Sequence, residues 1–119
     1  MKYLCLVHFE TEKLTSQSLE ARQEIDRRSL AYDQELRARG NFIHAEAIEG
    51  ADSGVLVRVR DGKAAVTDGP FIETKEQMAG FILIEARDMN EAVRIASGIP
   101  LAEIGTIEVR PIYNIPTPP

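Results

Sequence analysis

The chain has 119 residues, 44% of them apolar and 28% charged, which is one domain with enough apolar material for a core and argues against disorder. A net charge of -5 and a pI near 5.0 exclude the basic footprint of a nucleic-acid or anionic-membrane binder. The single cysteine, Cys5, excludes an internal disulfide and a thiolate-built metal site.

Residues 2–9 are rich in strand formers and predict a first strand, with Cys5 as a small core residue inside Tyr3-Leu4-Cys5-Leu6-Val7. That run is too short to span a bilayer and lacks the basic start and cleavage site of a signal peptide, so a cytoplasmic location is expected. After a polar stretch from Glu10, Ser16 or Ser18 can cap a helix over residues 19–39 that Gly40 closes. Ile25, Ser29, Tyr32 and Leu36 form one stripe of that helix. Leu19 and Leu30 lie roughly 120° away, on a flank expected to touch a partner or a loop.

Asn41 to Ile48 predicts a second strand, and Val55 to Arg60 alternates as a half-polar strand does. Asp61-Gly62 between that strand and Lys63-Ala64-Ala65-Val66-Thr67 predicts a tight type I′ hairpin. Asp68-Gly69 is followed by Pro70, which restricts Gly69 and predicts a fixed bend instead. Ala79 to Ala86 is the strongest strand, apolar on both sides. Asp88-Met89-Asn90-Glu91 predicts a capping box, opening a helix with a stripe at Met89, Ala92, Val93 and Ala96. Thr106 to Ile112 predicts an edge strand, and residues 113–119 a proline-rich extended tail. The order strand, helix, strand, hairpin, strand, helix, strand predicts an α+β, ferredoxin-like split β-α-β subunit with an extra hairpin, forming one domain over residues 1–119.

Two helices cover only one face of such a sheet. Parity places Tyr3, Cys5, Val7, Ile43, Ala45, Ala47, Val55, Val57, Val59, Ile107 and Val109 on the first face. The second collects Leu4, Leu6, His8, Phe42, His44, Glu46, Leu56, Arg58, Arg60, Thr106, Glu108 and Arg110. The second face is too apolar for water and too charged for a simple core. It predicts a homodimer whose sheets pack face to face around a partly polar cavity. The alternative is a solvated strand surface with its charges in salt pairs.

His8 ends the first strand, where an imidazole suits acid/base work or simply satisfies a sheet edge. His44 reads as packing beside Phe42 and Ile48. No short metal-ligand spacing links the histidines with Glu46, so no metal and no cofactor is expected. Asp68 stands before the bend, as a base or anchor near Arg58 or His8, or as the cap of its own turn. Arg58 and Arg110 can grip an anionic group through forked hydrogen bonds. Glu73, Lys75 and Glu76 form a charged tail to the bend, read as solvated charge or one wall of a site.

Asp68-Gly69-Pro70-Phe71 with Glu73, Lys75 and Glu76 resembles the signature of the DGPF branch of the YCII-related proteins. Val57-Arg58-Val59-Arg60-Asp61-Gly62-Lys63 before it, and Gly80-Phe81, Glu91-Ala92, Ile99-Pro100 and Glu108-Val109-Arg110-Pro111 after it, carry the similarity over nearly the whole chain. The resemblance implies a dimeric α+β barrel and an enzymatic role built on a His–Asp pair, with no settled reaction. Asp68 matches as the acidic member; Gly69, Pro70, Phe71, Glu73 and Lys75 follow as ligand-binding positions. No histidine is carried over, and His8 is assigned by position alone. Ala45 and His44 depart from the family pattern. The resemblance also implies a possible context beside extracytoplasmic-function sigma factors, as an accessory ligand-binding module. The expected partners are a second copy and a small-molecule ligand, with no nucleic acid and no membrane.

Overall fold

The computed structural model describes residues 1–68 and 76–119. In chain order the elements are β1 (Lys2–Phe9), α1 (Thr11–Thr15), α2 (Leu19–Arg39), β2 (Phe42–Ala47), β3 (Val55–Arg60), β4 (Lys63–Asp68), β5 (Gln77–Glu85), α3 (Met89–Ser97) and β6 (Gly105–Pro111). Short 3₁₀ turns at Ala51–Ser53 and Pro100–Glu103 join them. The main sheet has the order β2-β5-β1-β6, every neighbouring pair antiparallel. With the hairpin set aside, this is the ferredoxin-like order that the element pattern predicts.

Local chemistry explains the helix ends. The Ser18 hydroxyl accepts from the Ala21 amide, and Gly40 closes α2 in the left-handed conformation, φ 80°. The Asp88 carboxylate accepts from the Glu91 amide at 2.9 Å. The returning bond of that capping box goes from the Arg87 amide, one residue earlier than the usual partner, to Glu91 Oε1 at 3.1 Å. That amide and the Arg87 guanidinium hold the Glu91 carboxyl below its ordinary range. The polar stretch after β1 is not all loop: Thr11–Thr15 forms the short α1.

The core lies between the helices and one face of the main sheet. Tyr3, Cys5 and Val7 of β1 stand beside Ile82 and Ile84 of β5, against Leu36 of α2 and Ala92, Ile95 and Ala96 of α3. Cys5 is wholly enclosed, as expected of a core residue, and burial pushes its thiol up to about 11. Leu36 packs from the predicted stripe of α2, while Leu19 and Leu30 stay 62% and 68% exposed. The α3 stripe is corrected: Ile95 and Ile99 carry the burial with Ala92 and Ala96, and Met89 and Val93 are exposed. The chain beyond α3 folds back through a 3₁₀ turn, which turns Ile99 into the core in their place. Tyr32 ties the helices together, its hydroxyl donating to the Ile95 carbonyl at 2.6 Å.

Two predicted faces also change. The β2–β5 register shifts between Phe42 and His44, so Phe42 pairs with Ile84 and packs on the core. Ile43, assigned by parity to the helix side, is exposed. A one-residue irregularity reverses every assignment on its far side, which strict alternation cannot foresee. The larger correction concerns β3 and β4. They pair only with each other in a separate two-stranded sheet, and every one of their residues is exposed. Val55, Val57 and Val59 therefore do not line the core face, nor do Leu56, Arg58 and Arg60 line the other. The turn between the strands is as predicted, with φ 53° at Asp61 and 75° at Gly62. A projecting hairpin accounts for the slab-like extents of 48 × 47 × 19 Å and a radius of gyration of 16.7 Å. A compact domain of this length has about 13.5 Å. Residues beyond Pro111 are exposed and outside any strand.

Candidate functional site

No helix or strand among the described residues covers the sheet face away from the helices. Its centre is apolar: Leu4 and Leu6 of β1 pair with Leu83 and Phe81 of β5. Polar groups gather at one end. Leu6 is opposite Glu108 and His8 is opposite Thr106 in the β1–β6 register, so His8 and Glu108 are diagonal neighbours. The His8 Nε2 lies 3.0 Å from Glu108 Oε1. An ionised carboxylate only accepts, so Nε2–H is the donor of this bond. Arg110 extends the row, its Nε 3.8 Å from Glu108 Oε2 and its side chain 68% exposed. The Thr106 hydroxyl donates to Glu76 Oε2 at 3.2 Å. This bond brings the end of the charged motif segment to the strand position facing His8. Gly105 fits this corner because a Cβ there would overlap the His8 carbonyl.

Of the predicted site residues, His8 and Arg110 meet on one face with Glu108 between them. Glu108 was legible only as a polar member of that face; its pairing with His8 depends on a register that one strand alone does not reveal. Arg58 is not on this face, because β3 lies in the separate hairpin, opposite Ala65. Asp68 ends β4 opposite Val55, and no hydrogen bond from a described residue reaches its carboxylate. Gly69, Pro70, Phe71, Glu73 and Lys75 lie outside the described residues. At the other edge His44 Nε2 stands 3.6 Å from Glu46 Oε2, and its ring tilts against Phe81 at 6.0 Å. Among the described residues no three His, Cys, Asp or Glu side chains converge as metal ligands would.

A concavity of about 470 Å³ follows the β2 edge on the helix side, where β2 has no outer strand partner among the described residues. Ala45, Ala79, Ile82, Ile99 and Leu101 give it an apolar lining, and its charged lining residues, Asp26, Asp33 and Glu46, are all acidic. Burial raises the Asp33 carboxyl above its ordinary value, with Arg37 pulling the other way.

A ferredoxin-like sheet with helices on one face and a histidine–carboxylate pair on the other defines a class of small α+β proteins with an uncovered sheet face. The chain belongs to the YCII-related domain family, whose profile matches residues 1–116. It is similar to an uncharacterised protein of Rhizobium meliloti (strain 1021), 29% identical over 114 residues, covering 94% of this chain and 92% of that one. Among solved structures it is similar to 5-chloro-2-hydroxyhydroquinone dehydrochlorinase (TftG) of Burkholderia phenoliruptrix AC1100, in complex with 2,5-dihydroxybenzoquinone. The TM-score is 0.58 at 18% identity, with 95% of this chain and 94% of that one covered. No helix among the described residues is long and apolar enough to cross a membrane.

Proposed function

We propose that the chain is an enzyme of proton transfer, acting on a small anionic organic molecule held over the outer sheet face between two copies paired as an α+β barrel. The observation that carries this reading is the His8–Glu108 pair, set at 3.0 Å beside an apolar face with Arg110 next in the row. With Nε2–H donated to Glu108, the Nδ1 lone pair accepts a proton from the substrate, and the carboxylate balances the imidazolium that forms. Arg110 keeps its two terminal nitrogens for a phenolate or carboxylate oxygen, in the forked geometry that suits such groups. Leu4, Leu6, Phe81 and Leu83 supply the flat apolar bed for a ring or short chain. The ligand of the structural neighbour, 2,5-dihydroxybenzoquinone, is a small oxygen-rich ring with acidic hydroxyls, and a compound of that class offers both the proton and the anion. In the DGPF-branch reading of Asp68-Gly69-Pro70-Phe71, Asp68 is a second carboxylate that serves the site.

The test uses 2,5-dihydroxybenzoquinone as probe in titration calorimetry. The wild-type chain should bind it, with a heat that changes with buffer ionisation enthalpy because a proton moves. Arg110→Gln should weaken binding about tenfold, as loss of a charge-assisted bond does, and His8→Gln should abolish the buffer dependence. Equal binding by all three proteins, or a heat independent of buffer, would falsify the reading.

A further inference from the structure

The β3–β4 hairpin is amphipathic, yet every residue of its two strands is exposed and no other described strand pairs with it. Its register places Val55, Val57, Val59, Ala64 and Val66 on one face, with Asp68 at the end of β4 opposite Val55, and Leu56, Arg58, Arg60, Lys63, Ala65 and Thr67 on the other. The four valines are 59–62% exposed. A two-stranded hairpin with a bare apolar face is marginal by itself and needs a surface to rest on.

The same chain carries an unfilled surface of the matching kind. β2 is an edge of the main sheet, so its outward N–H and C=O groups have no ladder partner among the described residues. Beside that edge, on the helix side, runs the apolar cleft of about 470 Å³, with the 68%-exposed Leu30 on its α2 wall. Glu46 borders the cleft, yet its register opposite Phe81 places it on the outer side of the same edge, its side chain 60% exposed. A strand laid along β2 must send alternate side chains to these two sides. The hairpin fits that requirement: valines for the apolar cleft, arginines for the side of Glu46.

We infer that the hairpin is an exchange arm: it adds to the free β2 edge of a second copy, seating its valine face in that copy's cleft and setting Arg58 beside that copy's Glu46. Two copies related by a twofold axis make this contact twice, which closes the assembly as a dimer. Arg58 of the arm then lies on the outer side of the sheet at the β2 edge, with β2, β5 and β1 between it and Glu108 and Arg110 of β6. The inference rests on the homodimer of the proposed function but on none of its chemistry.

Charge reversal in mixed copies tests it. Arg58 and Glu46 are exposed, so Arg58→Glu and Glu46→Arg should each fold as wild type by circular dichroism. Each alone places like charges at both contacts, and its dimer should dissociate about tenfold more readily in sedimentation. A mixture of the two restores opposite charges at both contacts and should return to the wild-type constant. A mixture no tighter than the separate variants overturns the arm contact. A Val57→Cys chain mixed with a Leu30→Cys chain should form a mixed disulfide under mild oxidation, and one mixed with Leu19→Cys should not. If the double variant Val57→Cys/Leu30→Cys instead closes within one chain, the arm folds back on its own edge and the exchange is wrong. Leu6→Lys separates the two readings: it strikes the outer sheet face alone. Weakening by Leu6→Lys without any response to the charge swap overturns the arm and keeps the face pairing; the converse keeps the arm and overturns the face pairing.

Discussion

Replacing Leu6 by lysine tests whether the outer sheet face is an interface. Leu6 sits on β1 between Phe81 and Glu108, half-buried on the side away from the core, so the single chain should tolerate a lysine there. The expectation of a dimer has a measurable basis. The chain exposes 8695 Å², where a 13.2 kDa monomer has about 6,400 Å². The excess of roughly 2,300 Å² per chain includes the exposed hairpin and tail as well as the outer face, and a standard interface takes about 800 Å² per partner. Full burial of a leucine is worth about 1.5–3 kcal/mol. Leu6 is already half-buried, so pairing gains about half of that per copy, or about 2 kcal/mol over both. An ammonium enclosed in the same place costs several kcal/mol more, which Glu108 only partly offsets. The total loss is about 4 kcal/mol, close to a thousandfold in Kd. Sedimentation equilibrium at micromolar concentration should show wild-type dimers and Leu6→Lys monomers, with unchanged far-ultraviolet circular dichroism in the variant. A Leu6→Lys chain that dimerises with an unaltered constant refutes the face pairing.

Tyr32→Phe removes the hydroxyl that binds the Ile95 carbonyl and should destabilise the fold by about 1 kcal/mol, read from urea denaturation. Leu36→Ala opens the core beneath α2 and should cost about 2–5 kcal/mol with a matching fall in Tm; a loss under 1 kcal/mol would mean that the site collapses freely. Cys5 should resist alkylation at pH 8 until denaturant is added, because burial holds its thiol near 11 against an ordinary 9.0. Its contribution to stability is complete below pH 9 and is lost as pH rises through about 11. The sign reverses for Glu91, held below its ordinary range: it stabilises the fold above that range and ceases to do so as pH falls, so Glu91→Gln should flatten the acid limb of the stability profile.

The fold was largely legible because its evidence is local. Ser18 and Gly40 mark the ends of α2, Asp88 and Glu91 the start of α3, and Asp61-Gly62 the hairpin turn, each through bonds or dihedrals within a few residues. The failures share one cause. The shift at Ile43, the exchange of Met89 and Val93 for Ile95 and Ile99, and the detachment of β3 and β4 are decided by what lies across space. Alternation in Val55–Arg60 truthfully reports two unlike faces; it does not report which sheet the strand joins. The site divides in the same way. His8 and Arg110 could be picked by type and position, but Glu108 becomes the partner of His8 only through the β1–β6 register.

The same division separates Asp68 from His8. Asp68 and Arg58 belong to the hairpin, while His8, Glu108 and Arg110 belong to the main sheet. Among the described residues the hairpin makes no ladder with the main sheet, and a second copy is one way to bring both groups to one reaction. The structure offers a physical motive for that joining independent of any chemistry: bare valines, a free strand edge and an open cleft all lose unfavourable exposure in one contact. Glu76, bonded to Thr106 opposite His8, already fixes the far end of the motif segment at the histidine. Glu76 is thus bonded to the main sheet of its own chain, while Asp68 ends β4 of the hairpin. Dimerisation and the geometry of the site should therefore respond together. A charge swap at Arg58 and Glu46 that weakens the dimer should weaken probe binding in the same proportion, and should restore both in the mixture; restored dimers with binding still lost would place Arg58 in direct contact with the ligand.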